Sequence, residues 1–502
     1  MAVALARRVA GLPWTAILVG GALFALLAAF VSADPVRDVT LSSSPFTDEG
    51  FNTVNARNLI QLGRWSTDEW NLYLVNLPFS LLAAAAFEVF GVGITSARLV
   101  SIACVSITAG ALAWGLRRVV GGAWAAFAAV AFAASGLILF YGRLAYVEDL
   151  VVLGLTLGTL LMADDRRLSF RWGLLAGVFF AVAVGAKPLA AFSAAGIVVA
   201  LALLGKPAAE MRRWLAGVVA AVAACGLLWL AVVWLPNREA VAMDLRIWAP
   251  EQLSLTPAGI VASISSYVGG DNDSLPGFLL GPLLLLGAAG LAAIAVFRRR
   301  LDRTQARLAA AAIGWALAGF AIVAIASYRP NRYLVPVVPA LAIVAAIGLR
   351  AASEWLVEVV GAGGPRPRLG GRALRLVPAA LAIALAAAPG LNWYYGWSRH
   401  ATYTLPAIQN RFATLVPPGE RVAGRESGLF LMKSKAIAVE VQLTQRDTEA
   451  NAGDLYSGGM RWYLQPTVEP APPGVPASVW ARREIVACAT WDRLNECLIK
   501  LP

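Results

Sequence analysis

Four long uncharged stretches, at residues 14–33, 122–141, 189–205 and 276–297, limit what this chain can fold into more than any other feature. Each approaches or exceeds the run of about 20 apolar residues that carries a helix across a hydrocarbon core about 30 Å thick. The bulk composition agrees: 59% of the 502 residues are hydrophobic and only 14% are charged. A soluble domain is closer to 45–50% apolar and about 25% charged. The chain therefore reads as an α-helical polytopic membrane protein.

The formal charge of +12 would suggest a nucleic-acid partner in a soluble protein. Here the basic residues occur as short clusters between apolar stretches: Arg7 and Arg8, Arg117 and Arg118, Arg166 and Arg167, Arg212 and Arg213, Arg298 to Arg300, and the run 366–375. That spacing is expected of cytoplasmic loops, and no nucleic-acid partner is expected. The first stretch lacks a convincing cleavage site and is followed by many others, so it reads as a retained helix rather than a signal peptide.

The clusters also test the topology. If both 72–90 and 95–116 crossed, every later cluster would lie outside. If 72–90 is instead an interfacial helix, all of them lie inside. The second solution gives about eleven spans: 14–33, 95–116, 122–141, 144–162, 171–186, 189–205, 213–235, 276–297, 306–327, 332–350 and 373–390. Lys187-Pro188 interrupts the apolar run between two of them, where a lysine can snorkel to the outer rim. The division is a transmembrane domain, 1–390, whose first outer loop is 34–94, and an extracytoplasmic C-terminal domain, 391–502. The tail is rich in Pro and Gly, and short segments at 421–423 and 437–443 read as strands of a small α/β fold, with a short helix or turn over 456–463. Cys488 and Cys497 lie there; outside the cell they would form a disulfide, and two free thiols are the alternative.

Three clusters on the expected outer face carry chemistry. In the first loop, Asp48 and Glu49 sit between Pro45 and Gly50 at the start of a helical run, where a helix N-terminus stabilises negative charge. That position suits either a catalytic carboxylate or a plain helix cap. Glu148 and Asp149 follow a very short loop that begins at Arg143, which is near enough in sequence to pair with one of them. Carboxylates at that depth cost about 2.5–3.5 kcal/mol at a helix centre, so they call for a function or a salt bridge. Third, Arg329, Arg332 and Tyr333 precede Pro336 and Pro339 in a proline-bounded turn, either as an interfacial anchor or as a phosphate site. A carboxylate that deprotonates a hydroxyl, with arginines that neutralise a departing phosphate, suits sugar transfer from a polyprenyl phosphate. The inner loops contain no GxxxxGK[ST] motif to cradle a nucleotide. The single histidine, His400, excludes a multi-histidine metal centre.

These motifs, in this order and on one face, resemble the GT-C glycosyltransferases that use lipid-phosphate sugars, and in particular the protein O-mannosyltransferase and lipid A aminoarabinose transferase branch (glycosyltransferase family 39-like). The resemblance covers residues 10–350 best. Asp48-Glu49 looks like the family's outer-loop Asp-Glu motif, with Asp48 as the implied base and Glu49 beside it. Arg143 through Glu148 looks like its Arg-x-x-x-x-Asp feature, with Glu in place of Asp. Gly91 to Arg98 resembles its Gly…Arg-Leu segment. Arg329, Arg332 and Tyr333 look like the late Arg-x-x-Arg-Tyr feature at the donor end. The resemblance implies a GT-C fold with interfacial helices in the first outer loop and a small C-terminal extracytoplasmic α/β domain. It also implies a polyprenyl-phosphate-linked sugar donor, held by Arg143, Arg329, Arg332 and Tyr333, and a glycan, lipid or protein acceptor, with Asp48, Glu49 and Glu148 as catalytic residues. The chain departs from the family at Asp68-Glu69-Trp70, where relatives often have Lys/His-Pro-Pro. No cofactor is certain; a divalent cation bound by Asp68, Glu69 or Asp149 is left open. A transporter or a lipid-polymer ligase is the alternative function.

Overall fold

The structure is a computed structural model that describes residues 14–35, 48–65, 76–203, 209–239, 241–242, 256–268, 275–326, 330–362, 371–424, 426–439, 455–466, 470–472, 474–491 and 494–502. Its first part is helical: α1 (Trp14–Ala28), α2 (Asp48–Leu62), α3 (Leu77–Phe90), α4 (Ile94–Val120), α5 (Gly122–Ala133), α6 (Gly136–Tyr141), α7 (Glu148–Leu160), α8 (Phe170–Ala186), α9 (Ala190–Leu203) and α10 (Ala209–Trp229). There follow α11 (Pro257–Val268), α12 (Leu275–Phe297), α13 (Arg303–Ile325), α14 (Val338–Ala362) and α15 (Gly371–Ser398).

Each expected span overlaps one or two of these helices, and the chain is a multi-pass membrane protein. Among the described residues six stretches are long and apolar enough to cross by themselves; α1, α3, α8 and α9 are shorter apolar helices. The expected span 122–141 is divided between α5 and α6 by a break at Ala134 and Ser135. The last apolar helix, α15, runs past residue 390 to Ser398 despite Pro378 and Pro389. Helix α3 is 14 residues long, about 21 Å, the same length as α9, so length alone does not set it apart from the expected spans. It ends where Gly91 takes φ +83, a left-handed conformation open to glycine without strain.

Helix pairs pack through small residues. Gly196 of α9 faces Gly314 of α13 so closely that a Cβ on either would stand 2.3 Å from the other's carbonyl oxygen. Such contacts replace the hydrophobic driving force that lipid does not provide.

Among the described residues the basic clusters 117–118, 166–167 and 298–300 gather at one end of the bundle. There Arg118 pairs with Asp164 at 3.2 Å, Arg307 with Asp165 at 2.7 Å and Arg300 with Glu358 at 2.5 Å. Gln305, which forms a capping box with Asp302 at the start of α13, also donates to the carbonyl of Val119. Arg350 donates to the same carbonyl. Helix α4 is 27 residues long, about 40 Å. Arg98 in its second turn therefore lies at the far end of the bundle from Val119.

The chain continues through α16 (Thr404–Phe412), β1 (Arg421–Ala423), α17 (Ser427–Phe430), β2 (Ile437–Val439), β3 (Trp462–Pro466), α18 (Ala477–Trp480), β4 (Glu484–Trp491) and β5 (Leu494–Lys500). The strands form a mixed sheet in the order β2-β1-β3-β5-β4: β1 is parallel to β2 and β3, while β5 is antiparallel to β3 and β4. Both short expected strands are present, although residues 440–443 lie outside the described residues. The stretch 456–463 begins helical and ends as β3. Cys488 and Cys497 face each other across β4 and β5 and are joined as a disulfide.

Candidate active site

Helix α2 carries the first cluster, and its environment inverts what its composition suggests. Its sequence DEGFNTVNARNLIQL is mostly polar, yet Glu49, Asn52, Thr53, Asn55, Arg57 and Asn58 are all buried. Buried polar groups need partners, and here they have them. Asn52 donates to the carbonyl of Ala145 at 3.0 Å and accepts, through its own carbonyl, from Ser80 of α3 at 3.2 Å. Asn55 donates to the carbonyl of Trp65 at 3.2 Å.

Asp48 opens the helix with 29% of its side chain exposed, and its Oδ2 meets Arg332 Nη2 at 2.5 Å. Arg332 extends from the 3₁₀ turn Asn331–Val337, which Pro336 stiffens before α14 begins. Its Nε lies 3.3 Å from Oε1 of Glu148, the first residue of α7. Lys187, in the break between α8 and α9, also donates to Glu148 Oε1. The aromatic face of Tyr333 lies 4.1 Å from Lys187 Nζ, and that of Tyr146 lies 5.4 Å from the Arg332 guanidinium. Two carboxylates and two cations thus form one formally neutral chain, Asp48–Arg332–Glu148–Lys187. Glu148 is 1% exposed and Lys187 17%, so the cluster is sheltered but open at Asp48. An anion entering beside Arg332 and Lys187 would meet a forked donor and a point charge, the two usual ways proteins hold phosphate.

Glu49 and Arg143 take other positions. Glu49 is fully buried in a bidentate pair with Arg98, with both N–O distances 2.7 Å, and its Oε1 also accepts the Ala145 N–H at 2.8 Å. Arg98 further donates to the carbonyls of Val31 and Ala33. Arg143 does not pair with the acidic residues that follow it. The chain turns between them, and its guanidinium donates instead to the carbonyls of Ala33 and Asp34 at 2.8 Å and stacks 4.1 Å over Trp397. The Asp34 carboxylate accepts from the backbone N–H groups of Thr404 and Leu405, capping α16 of the tail. Residues 31–34 therefore join the bundle, the first loop and the C-terminal domain.

Asp149 is completely buried beside Ser101 and Cys104 of α4. Among the described residues no three His, Cys, Asp or Glu side chains are gathered as a metal site would require. Asp68, Glu69 and Arg329 lie outside the described residues.

Sequence reasoning missed three groups here. Lys187 is placed in the cluster rather than alone at the rim; its signal was the cost of a lysine amid apolar residues, which calls for an anionic partner. Asp34 and Arg57 lie in polar segments where nothing marks them out.

A helical bundle of this order, with α2 and α3 in the first loop and a small C-terminal sheet domain, defines the protein by its fold, which is the ArnT-like GT-C fold. Among solved structures it is similar to ArnT from Cupriavidus metallidurans bound to undecaprenyl phosphate, at 18% identity and TM-score 0.61, over 96% of this chain and 97% of that one. It is also similar to the archaeal oligosaccharyltransferase AglB from Archaeoglobus fulgidus in complex with an inhibitory peptide and a dolichol-phosphate, at 13% identity and TM-score 0.52, over 89% and 69% of the two chains. No protein-family model and no curated protein matches the chain.

Proposed function

We propose that the chain is a glycosyltransferase that moves a pentose or hexose from a polyprenyl-phosphate donor to a hydroxyl of a glycan, lipid or protein. The site faces the extracytoplasmic side of the cell membrane and serves the cell envelope. The observation that carries this reading is the bridge Asp48–Arg332–Glu148, continued by Lys187, at the bundle end opposite the basic clusters. Positive residues favour the cytoplasmic side, which leaves Asp48 outside. The GT-C fold supports the reading, as does the undecaprenyl phosphate held by the similar ArnT.

Asp48 takes the proton of the acceptor hydroxyl. The oxygen attacks the anomeric carbon as the carbon–oxygen bond to phosphate breaks, and the electron pair leaves with the polyprenyl phosphate. Arg332 and Lys187 neutralise the charge that develops there, with Tyr333 packed beside them and Arg329 as a further donor. Glu148 holds both cations in place. Glu49 and Arg143 act one step back: they fix the helix and loop that carry Asp48 rather than touching the sugar. The division at residue 390 and the eleven crossings belong to this same reading.

Purified protein in lipid nanodiscs, supplied with a panel of undecaprenyl-phosphate pentoses and hexoses and with envelope acceptors, is expected to transfer sugar. Asp48→Asn is expected to abolish nearly all turnover while the protein stays folded. Full activity in that variant overturns the base assignment. Movement of a free solute across the membrane without sugar transfer overturns the transferase reading in favour of a transporter.

A further inference from the structure

The catalytic helix is held from two sides. On the bundle side Arg98 grips Glu49, as described above. On the other side the C-terminal domain supplies a second grip, through Nε and Nη2 of Arg57, while its Nη1 donates to Asn58 Oδ1 at 3.0 Å within α2. Arg57 is fully buried and directs its guanidinium into the turn that joins α17 to β2. There Nε donates to the carbonyl of Met432 at 3.2 Å, and Nη2 donates to those of Ser434 and Ala436 at 2.5 Å each. Ser434 Oγ accepts the Ala436 N–H at 3.1 Å, which closes the turn around the guanidinium.

A second contact lies two turns earlier. Gly50 sits against Leu429 so closely that a Cβ would stand 2.7 Å from the Leu429 nitrogen and 2.9 Å from its Cβ. Leu429 is held in turn, its carbonyl accepting from Gln409 at 2.8 Å. The neighbouring Phe430 packs edge-to-face on Phe412 and Trp491, each with ring centroids 6.0 Å apart.

A buried guanidinium is costly unless its donors are met. This one is aimed at backbone carbonyls that only the folded tail brings together. Arg57 lies nine residues along α2 from Asp48, about 13 Å. An α-helix of that length is stiff, so two contact points fix where its first residue lies. We infer that Arg57 is a positioning residue for Asp48, and that the 431–436 turn of the C-terminal domain is thereby part of the catalytic apparatus. This rests on the transferase reading above. The tail is then no appendage: it sets the approach of the base to Arg332, where an error of about 1 Å costs on the order of 100-fold in rate.

The test uses the full-length protein in lipid nanodiscs. Undecaprenyl phosphate is the binding probe, and the turnover probe is the undecaprenyl-phosphate-linked pentose or hexose that wild-type protein consumes. Arg57→Met is expected to lower kcat on the order of 100-fold. Its affinity for undecaprenyl phosphate should stay within about two-fold, because Arg332 and Lys187 remain held by Glu148 on α7. Donor KM should hold likewise, and amide exchange across residues 48–62 should rise. Arg57→Lys, with one ammonium for three carbonyls, should recover part of the rate. Gly50→Ala leaves the guanidinium intact but drives α2 away from Leu429, and should lower kcat in the same way.

Unchanged kcat in both Arg57→Met and Gly50→Ala overturns the inference. So does a parallel loss of binding, turnover and melting temperature, which is the mark of general unfolding. If wild-type protein neither binds undecaprenyl phosphate nor consumes any donor, it is the transferase reading that fails. Exchange across 48–62 then still decides whether Arg57 holds the helix, and unchanged exchange in Arg57→Met refutes that.

Discussion

Replacing Glu49 by Gln removes one charge from a pair in which neither side chain has measurable exposure. The new side chain is nearly isosteric, so packing is kept and the electrostatics are isolated. Its remaining oxygen can still accept the Ala145 N–H. Its amide nitrogen is then forced against the Arg98 guanidinium, donor against donor. Arg98 keeps the carbonyls of Val31 and Ala33 but loses its counter-charge. Breaking a buried pair from one side costs about 3–5 kcal/mol, chiefly because the surviving charge stays buried. A kilocalorie shifts the melting temperature by roughly 2–4 °C in chains of 150–250 residues and by less in longer ones. A fall of roughly 5 °C is therefore expected.

Buried Cys104 supplies the assay in a Cys225→Ser background, because a thiol-reactive dye reports its exposure on unfolding. Glu49→Met with Arg98→Met removes both charges, and apolar replacement of a whole buried pair is often far less damaging. The double variant should melt above the sum of its singles, with a coupling of about 1–3 kcal/mol. A Glu49→Gln protein that melts within about 1 °C of wild type, or a double variant equal to the sum of its singles, would refute the assignment of this pair as the anchor of α2.

Two other outcomes follow from the same geometry. Lys187→Met should weaken undecaprenyl phosphate binding by roughly 10- to 100-fold, the worth of a charge-assisted hydrogen bond at about 1.5–3 kcal/mol, whereas Lys187→Arg should retain most of it; equal affinity in all three proteins, read by titration in nanodiscs, removes Lys187 from the donor site. Replacing Cys488 and Cys497 together by Ser opens a loop with a sequence separation of 9 and should destabilise the tail by about 2–3 kcal/mol, seen as faster proteolysis of the β4–β5 hairpin with the bundle intact; unchanged cleavage would show that the sheet needs no crosslink.

The membrane character of the chain, the order of its helices and the gathering of the described basic clusters at one end were legible in the amino-acid sequence. Each depends on local composition and spacing: apolar length decides which segments can cross, and arginine position orders their ends. Asp48, Glu148 and Arg332 were legible for a related reason, since charged groups beside apolar runs are conspicuous. Partnership was not legible. Arg143 stands five residues before Glu148, yet binds the carbonyls of Ala33 and Asp34, whereas Arg332 reaches across most of the chain to Asp48.

Composition was also misleading for α2, whose polar sequence suits a solvated loop helix but is buried between bundle and tail. No periodicity could show this, because a polar helix is stable in such a place only when groups from distant segments meet its donors and acceptors. Those partners, Arg98 for Glu49 and residues 432–436 for Arg57, lie on separate elements that only the tertiary fold brings within hydrogen-bonding distance, as it does Lys187 for Glu148 of α7. Local chemistry determined which residues were able to act; packing decided which join the Asp48–Arg332–Glu148–Lys187 cluster and which hold the others in place.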